Sequence, residues 1–257
     1  EYGLSRAAIV GPENIYDYSL GNPSIPSPPE VNETIKQILE DTDSLKIHGY
    51  TSAVGDFDTR KAISDDLNAR YSTDTKPEEF FIGCGAAPEL VSVFRALSIP
   101  GGEILAIAPY FPEYKPFVEE AGLKFKVVPA DVPSFQINFD ALDRMITENT
   151  QAIILNSPNN PSGVVYTVET LKKLANLLSD KIIEYGHTIY LVSDEPYREL
   201  TYGVEAPWIP SIFGDTIVCY SYSKSLSLPG ERIGYVYVPG NATESKRLYA
   251  AIAGAAR

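Results

Sequence analysis

Seven short apolar runs, separated by stretches of helical length, restrict this chain to a small set of folds. The runs are Phe80–Ile82, Ile104–Ile107, Phe125–Val128, Ala152–Leu155, Thr188–Val192, Ile217–Tyr220 and Ile233–Val238. Each has strand length and strand composition. Helical periodicity lies between several of them, most clearly over 167–185. There Leu171, Leu174, Ala175, Leu178 and Ile182 form one apolar stripe behind Thr167 as the cap. Strands alternating with helices predict an α/β fold with a mostly parallel sheet covered on both faces. Ligands of such folds sit in the crevice beyond the carboxyl ends of the strands. The residues just after each run are therefore where function is expected.

The segment before the first run is different in kind. Residues 21–29 carry four prolines, which remove hydrogen-bond donors and fix φ, so this stretch is read as extended. A helix from Pro29 to Glu40 follows, with Val31, Ile35, Ile38 and Leu39 on one face, and a second helix spans Asp56 to Tyr71. The division expected is an N-terminal segment and helix at 1–45 and one large domain at 46–257. A chain of 257 residues, 44% hydrophobic, can bury one sizeable core.

Composition excludes several functions. Thirty-four acidic residues against 21 basic ones leave a net charge of −13, which disfavours nucleic acid or an anionic membrane as partner. No apolar run approaches transmembrane length, and Glu1 to Ala8 lack a signal-peptide layout, so a cytoplasmic location is expected. Cys84 and Cys219 form no Cys-x-x-Cys pair, and His48 and His187 are too few for a histidine-based metal cluster. No metal site is expected. The chain opens without methionine and stops at Arg257 inside a helical stretch, which reads as a piece of a longer protein.

The strand ends carry the chemistry. After the first run, Gly83-Cys84-Gly85-Ala86-Ala87-Pro88 reads either as a plain helix-start turn or as small residues whose backbone N–H groups approach an anion there. Pro88 stands where a dinucleotide fingerprint needs its third glycine. After the second run, Phe111 reads either as ordinary packing, the commoner role of an aromatic at a strand end, or as a ring that stacks on a flat heterocycle. After the fourth, Asn156 to Gly163 reads either as an Asn/Pro/Gly turn or as a rigid loop presenting the Asn160 amide. After the fifth, Asp194 is either a cap or a carboxylate that keeps a pyridine nitrogen protonated, with Tyr197 near the neighbouring ring oxygen. After the sixth, Ser221-Tyr222-Ser223-Lys224 precedes Pro229-Gly230 and Arg232. Lys224 reads either as a solvated surface lysine beside the turn or as an amine that suits a Schiff base with an aldehyde, while Ser221 and Arg232 suit a phosphate on the same ligand. Pyridoxal 5'-phosphate is the biological cofactor carrying both groups.

With Asn156–Gly163, Asp194-x-x-Tyr197 and Ser221-x-x-Lys224 with Arg232, the chain resembles the fold-type I pyridoxal-phosphate enzymes. It is most similar to class I and II aminotransferases of the aspartate aminotransferase kind. The resemblance implies that Lys224 is the Schiff-base lysine and Asp194 the partner of the pyridine nitrogen. Asn160 and Tyr197 would contact the ring hydroxyl oxygen, and Phe111 would lie on the ring face. Gly85, Ala86, Ala87, Ser221 and Arg232 would hold the phosphate. Tyr50, in Tyr50-x-x-x-x-Gly55-x-x-x-x-Arg60, looks like the tyrosine that reaches the phosphate of the other subunit, which implies a homodimer. Leu20-Gly21-Asn22-Pro23 looks like the segment whose glycine lies near the substrate carboxylate, with Asn160 also on the substrate side.

Family members continue into a C-terminal small domain carrying the arginine that binds the substrate α-carboxylate, and residues 1–257 hold no replacement. The activity implied is ping-pong transfer of an amino group from an L-amino acid to a 2-oxo acid. A carbon–sulfur or β-elimination lyase and a non-catalytic aminotransferase-like regulatory module stay open beside it. The same cofactor motifs serve all three.

Overall fold

A computed structural model describes residues 2–16 and 21–256. Leu20 and Arg257 lie outside the described residues. All seven apolar runs form strands: β1 (Phe80–Gly83), β2 (Glu103–Ile107), β3 (Lys124–Val128), β4 (Thr150–Asn156), β5 (Tyr190–Asp194), β6 (Thr216–Ser221) and β7 (Gly234–Tyr237). They make one sheet in the order β1-β7-β6-β5-β4-β2-β3. The pairings among β2 to β6 are parallel, and β7 runs antiparallel to both β6 and β1. Six strands, β1 to β6, therefore point their carboxyl ends to one edge and β7 alone opposes them, as expected of a mostly parallel sheet.

The helices are α1 (Tyr2–Val10), α2 (Pro29–Asp41), α3 (Ser44–His48), α4 (Phe57–Tyr71), α5 (Ala86–Ala96), α6 (Tyr114–Glu120), α7 (Phe139–Met145), α8 (Val168–Tyr185), α9 (Tyr222–Ser225) and α10 (Ser245–Ala255). One sheet face packs Ile104, Ile154, Val192, Cys219 and Val236 against α5, α6 and α10. The other packs Leu105, Ile153, Leu155 and Leu191 against α7 and α8, with an aromatic extension of Phe80, Trp208, Tyr220, Tyr235 and Tyr237. In α8 the Thr167 hydroxyl accepts from Thr170 N at 3.1 Å, and Gly186 in the left-handed region ends the helix. Leu171, Leu174 and Leu178 of its stripe are buried, each contributing roughly 1.5–3 kcal/mol.

The helix at Pro29 forms, but its apolar face is not buried: Ile35, Ile38 and Leu39 are 43, 47 and 56% exposed. Periodicity dictates the helix and its stripe, whereas covering the stripe needs a second surface that the described residues do not bring. No helix among the described residues is long and apolar enough to cross a membrane.

A buried ion pair ties together the three strands beneath the sheet edge. Arg198 Nε donates to Glu195 Oε2 at 2.6 Å, and its Nη1 donates to the Tyr235 hydroxyl at 2.9 Å. Its guanidinium lies 4.6 Å from the Tyr220 ring centroid and 5.0 Å from that of Trp208. Ser193 Oγ donates to Glu195 Oε1 at 2.7 Å. Removing only the cation strands a buried carboxylate, so Arg198→Met is expected to destabilise the fold by about 3–5 kcal/mol. Adding Glu195→Gln is expected to recover part of the loss, and urea titration of both variants measures it.

Candidate active site

At the carboxyl ends of β4, β5 and β6 a cavity of about 240 Å³ opens between the α5 start and α9. It is lined by Ala86, Ala87, Phe111, Asn160, Asp194, Tyr197, Ser221, Lys224 and Arg232 among others. Nine residues anticipated from the sequence thus come together from five separate loops.

The floor is set by strand register. Asn156, Asp194 and Cys219 are neighbours across β4, β5 and β6. Asn156 Nδ2 donates to the Asp194 carbonyl at 2.8 Å, and its Oδ1 accepts from Asn160 N at 2.7 Å. The loop after β4 is therefore bound to the end of β5. Asn159 extends the brace: its Nδ2 donates to Pro109 O at 3.2 Å, and its Oδ1 accepts from Ser162 N and Oγ. The rigidity expected of this loop comes from its asparagines, which fix both it and the loop carrying Phe111.

Asp194 is buried. One oxygen, Oδ2, accepts from the Tyr114 hydroxyl, while Oδ1 has no partner among the described residues. Burial pushes this carboxyl up to about 7; the Tyr114 hydrogen bond opposes the shift and the Glu195 charge adds to it. Tyr197, half-buried on the same wall, is raised first by burial and then by Asp194, with the Asn160 hydrogen bond acting against both. Phe111 borders the cavity with its ring edge-to-face on Tyr114, centroids 5.6 Å apart.

Lys224 stands on α9, where the Ser221 hydroxyl accepts from Ser223 N at 3.2 Å and caps the turn. The lysine Nζ donates to the Gly21 carbonyl. At Gly85, φ is +96°, and a Cβ there would lie 2.7 Å from Arg232 Nη2 and 3.7 Å from Ser221 Oγ. Glycine is required here twice over, for the backbone conformation and for the approach of the guanidinium to the α5 N-terminus. That terminus presents N–H groups without helical partners beside an arginine and a serine, which makes an anion cradle.

Tyr50 is fully exposed and does not line the cavity. Three contributors went unanticipated. Asn156 lies in a motif whose sequence singles out Asn160, and Glu89 and Tyr114 carry no sequence motif that sets them apart. The usable signal for Tyr114 was a phenol on an otherwise buried helix face, since a buried tyrosine hydroxyl needs a partner. Among the described residues no cluster of three or more histidine, cysteine or acidic side chains is arranged to hold a metal ion.

Comparison with known proteins gives the family. The sequence profile of aminotransferase class I and II matches residues 13–256. This chain belongs to the class I and II aminotransferases. It is 32% identical to a probable aspartate/prephenate aminotransferase of Aquifex aeolicus, over 88% of this chain and 56% of that protein. Among solved structures, an aminotransferase from Eubacterium rectale superposes with a TM-score of 0.96 at 54% identity, covering 99% of this chain and 64% of that one. A Thermus thermophilus aspartate aminotransferase mutant gives 0.84 at 27% identity, with the same coverage. The chain thus spans little more than half the length of the curated relatives and about two thirds of the solved ones.

Members of this aminotransferase family use pyridoxal 5'-phosphate, and the cavity fits it on two observations. Asp194 Oδ1 is a buried acceptor with no partner, as a protonated ring nitrogen requires. Gly85 keeps open, beside Arg232, a space that any Cβ would fill.

Proposed function

We propose that the protein containing these 257 residues transfers an amino group from an L-amino acid to a 2-oxo acid in a ping-pong cycle. The observation that carries this reading is the convergence of Lys224, the partnerless Asp194 Oδ1 and Arg232 on one cavity. When bound, pyridoxal 5'-phosphate supplies an aldehyde carbon that holds the amino group in transit and a ring that withdraws electrons from the substrate Cα.

The chain's own residues perform the other tasks. Asp194 holds positive charge at the ring nitrogen, and Tyr114 fixes the carboxylate for that purpose. Asn160 and Tyr197 contact the ring hydroxyl oxygen, and Phe111 covers one ring face. The backbone of Gly85, Ala86 and Ala87 holds the phosphate with Ser221 and Arg232. Lys224 would take a proton from the substrate Cα and deliver it to the carbon that the cofactor's aldehyde supplies. Gly21 and Asn160 border the substrate. In this reading residues 46–257 are the cofactor-binding domain. Exposed Tyr50 serves the phosphate of a second copy, so the working unit is a homodimer.

The test is an amino-donor panel on the complete protein with 2-oxoglutarate as acceptor. We expect glutamate and the donor's oxo acid in equal amounts, with no ammonia. Pyruvate and ammonia formed without any acceptor would show elimination instead and would overturn the reading.

A further inference from the structure

Glu89 is a buried carboxyl without a side-chain partner among the described residues. It sits in the first turn of α5, 1% exposed; neither oxygen makes a well-formed hydrogen bond, and only the backbone of Gly85 and Tyr220 lies near enough to favour its charge. Its position is built by glycines. Gly83 at the end of β1 and Gly234 at the start of β7 are partners in register. A Cβ on Gly83 would lie 2.7 Å from Glu89 Oε1, and one on Gly234 2.6 Å from the same atom. The two facing glycines clear a notch that the carboxyl fills. The notch also borders the anion cradle, because the Gly234 Cβ position is 2.9 Å from Gly85 Cα, and Gly85 abuts Arg232. One backbone layer separates Glu89 from the cradle.

The groups facing it come from three other elements: Asp194 on β5, Cys219 on β6 and Arg232 in the loop before β7. Tyr114 of α6 is engaged with Asp194. Burial and Asp194 favour the neutral acid, and together they outweigh the backbone of Gly85 and Tyr220 and the Arg232 charge, holding the carboxyl well above its ordinary range.

We propose that Glu89 is a proton-holding positioning residue for the anion cradle, holding its proton more tightly while a dianion occupies the cradle than when the cradle is empty. This rests on reading Gly85–Ala87 and Arg232 as the phosphate site. A dianion compensates Arg232 and adds negative potential across one backbone layer, so the proton is held more tightly in the filled state. By linkage the anion then binds with uptake of a proton, and its affinity falls as pH rises through the range where empty-state Glu89 loses that proton.

Sulfate is the probe, because its charge is constant across neutral and alkaline pH. It is titrated calorimetrically into the complete protein freed of cofactor, in buffers of differing ionisation enthalpy. Asp194→Asn is present in every arm to remove that carboxyl's own titration. With Glu89 intact we expect up to about one proton taken up per sulfate and an affinity falling by up to about tenfold per pH unit. With Glu89→Gln added we expect no uptake and a flat affinity. Identical pH dependence in both proteins overturns the proposal. Infrared difference spectra of the Glu89-bearing protein decide it without that variant, since sulfate must increase the protonated-carboxyl signal; no increase also overturns it. Arg232→Gln tests the cradle separately: sulfate affinity unchanged by that substitution, or no sulfate binding at all, overturns the phosphate-site reading and this proposal with it.

Discussion

Lys224→Ala is expected to lower amino-group transfer by on the order of 10⁴-fold while leaving the fold intact. Among the described residues lining the cavity, the Lys224 amine is the group suited as a base to move a proton at the substrate Cα. Ser221 and Ser223 bond each other, with hydroxyl oxygens 2.6 Å apart, and neither is a base at neutral pH. The structural cost is small, because the side chain is only half-buried and its polar contact is the Gly21 carbonyl. A change in unfolding free energy within about 0.5 kcal/mol is expected. Two measurements check this: steady-state turnover with saturating donor, and the mass of cofactor left on the protein after borohydride reduction. The variant should retain none. Turnover within tenfold of wild type would remove Lys224 from its assigned role.

Asp194→Asn is expected to stabilise the cofactor-free protein and to impair the loaded one. In the empty cavity this carboxyl titrates near pH 7 because burial disfavours its charge. Its unfolded value is about 3.9. The native state therefore binds more protons than the unfolded state between about pH 4 and 7, and stability is lost as pH rises through that window. Asparagine carries no such penalty. The gain is expected to be absent near pH 4, to grow towards neutrality, and to level off near 4 kcal/mol above pH 8. Urea unfolding at several pH values measures it. The loaded enzyme behaves oppositely, since the amide cannot balance a positive ring nitrogen. Turnover should fall by roughly 10³-fold, the scale of losing one preorganised electrostatic partner. A gain that is the same at every pH would show that Asp194 does not titrate as described.

Much of this molecule was legible before its fold was known, and the illegible part has a common cause. The strands and the longer helices follow from local periodicity, as does the Thr167 cap of α8. Asp194, Lys224 and Asn160 were recognisable because each stands just past a strand in a parallel sheet, where polar groups are expected to converge. Tyr114 was not, although it binds Asp194 directly, because the two are 80 residues apart in sequence and their contact depends on α6 packing over β5. Glu89 was hidden for the same reason. Its notch needs Gly83 and Gly234 side by side, and that pairing exists only once β7 inserts antiparallel between β1 and β6. The apolar stripe of α2 shows the reverse case, a local pattern whose burial the tertiary contacts do not provide.

Sequence alone determined the element types, the mostly parallel sheet and the chemical identity of the groups at its edge, because these depend on residue type and short-range spacing. Tertiary structure decided which oxygen of Asp194 is free, which carboxyl is buried without a partner and how closely Arg232 approaches the α5 N-terminus. Those are properties of desolvation and of distances between residues remote in sequence, and neither exists until the strands are in register.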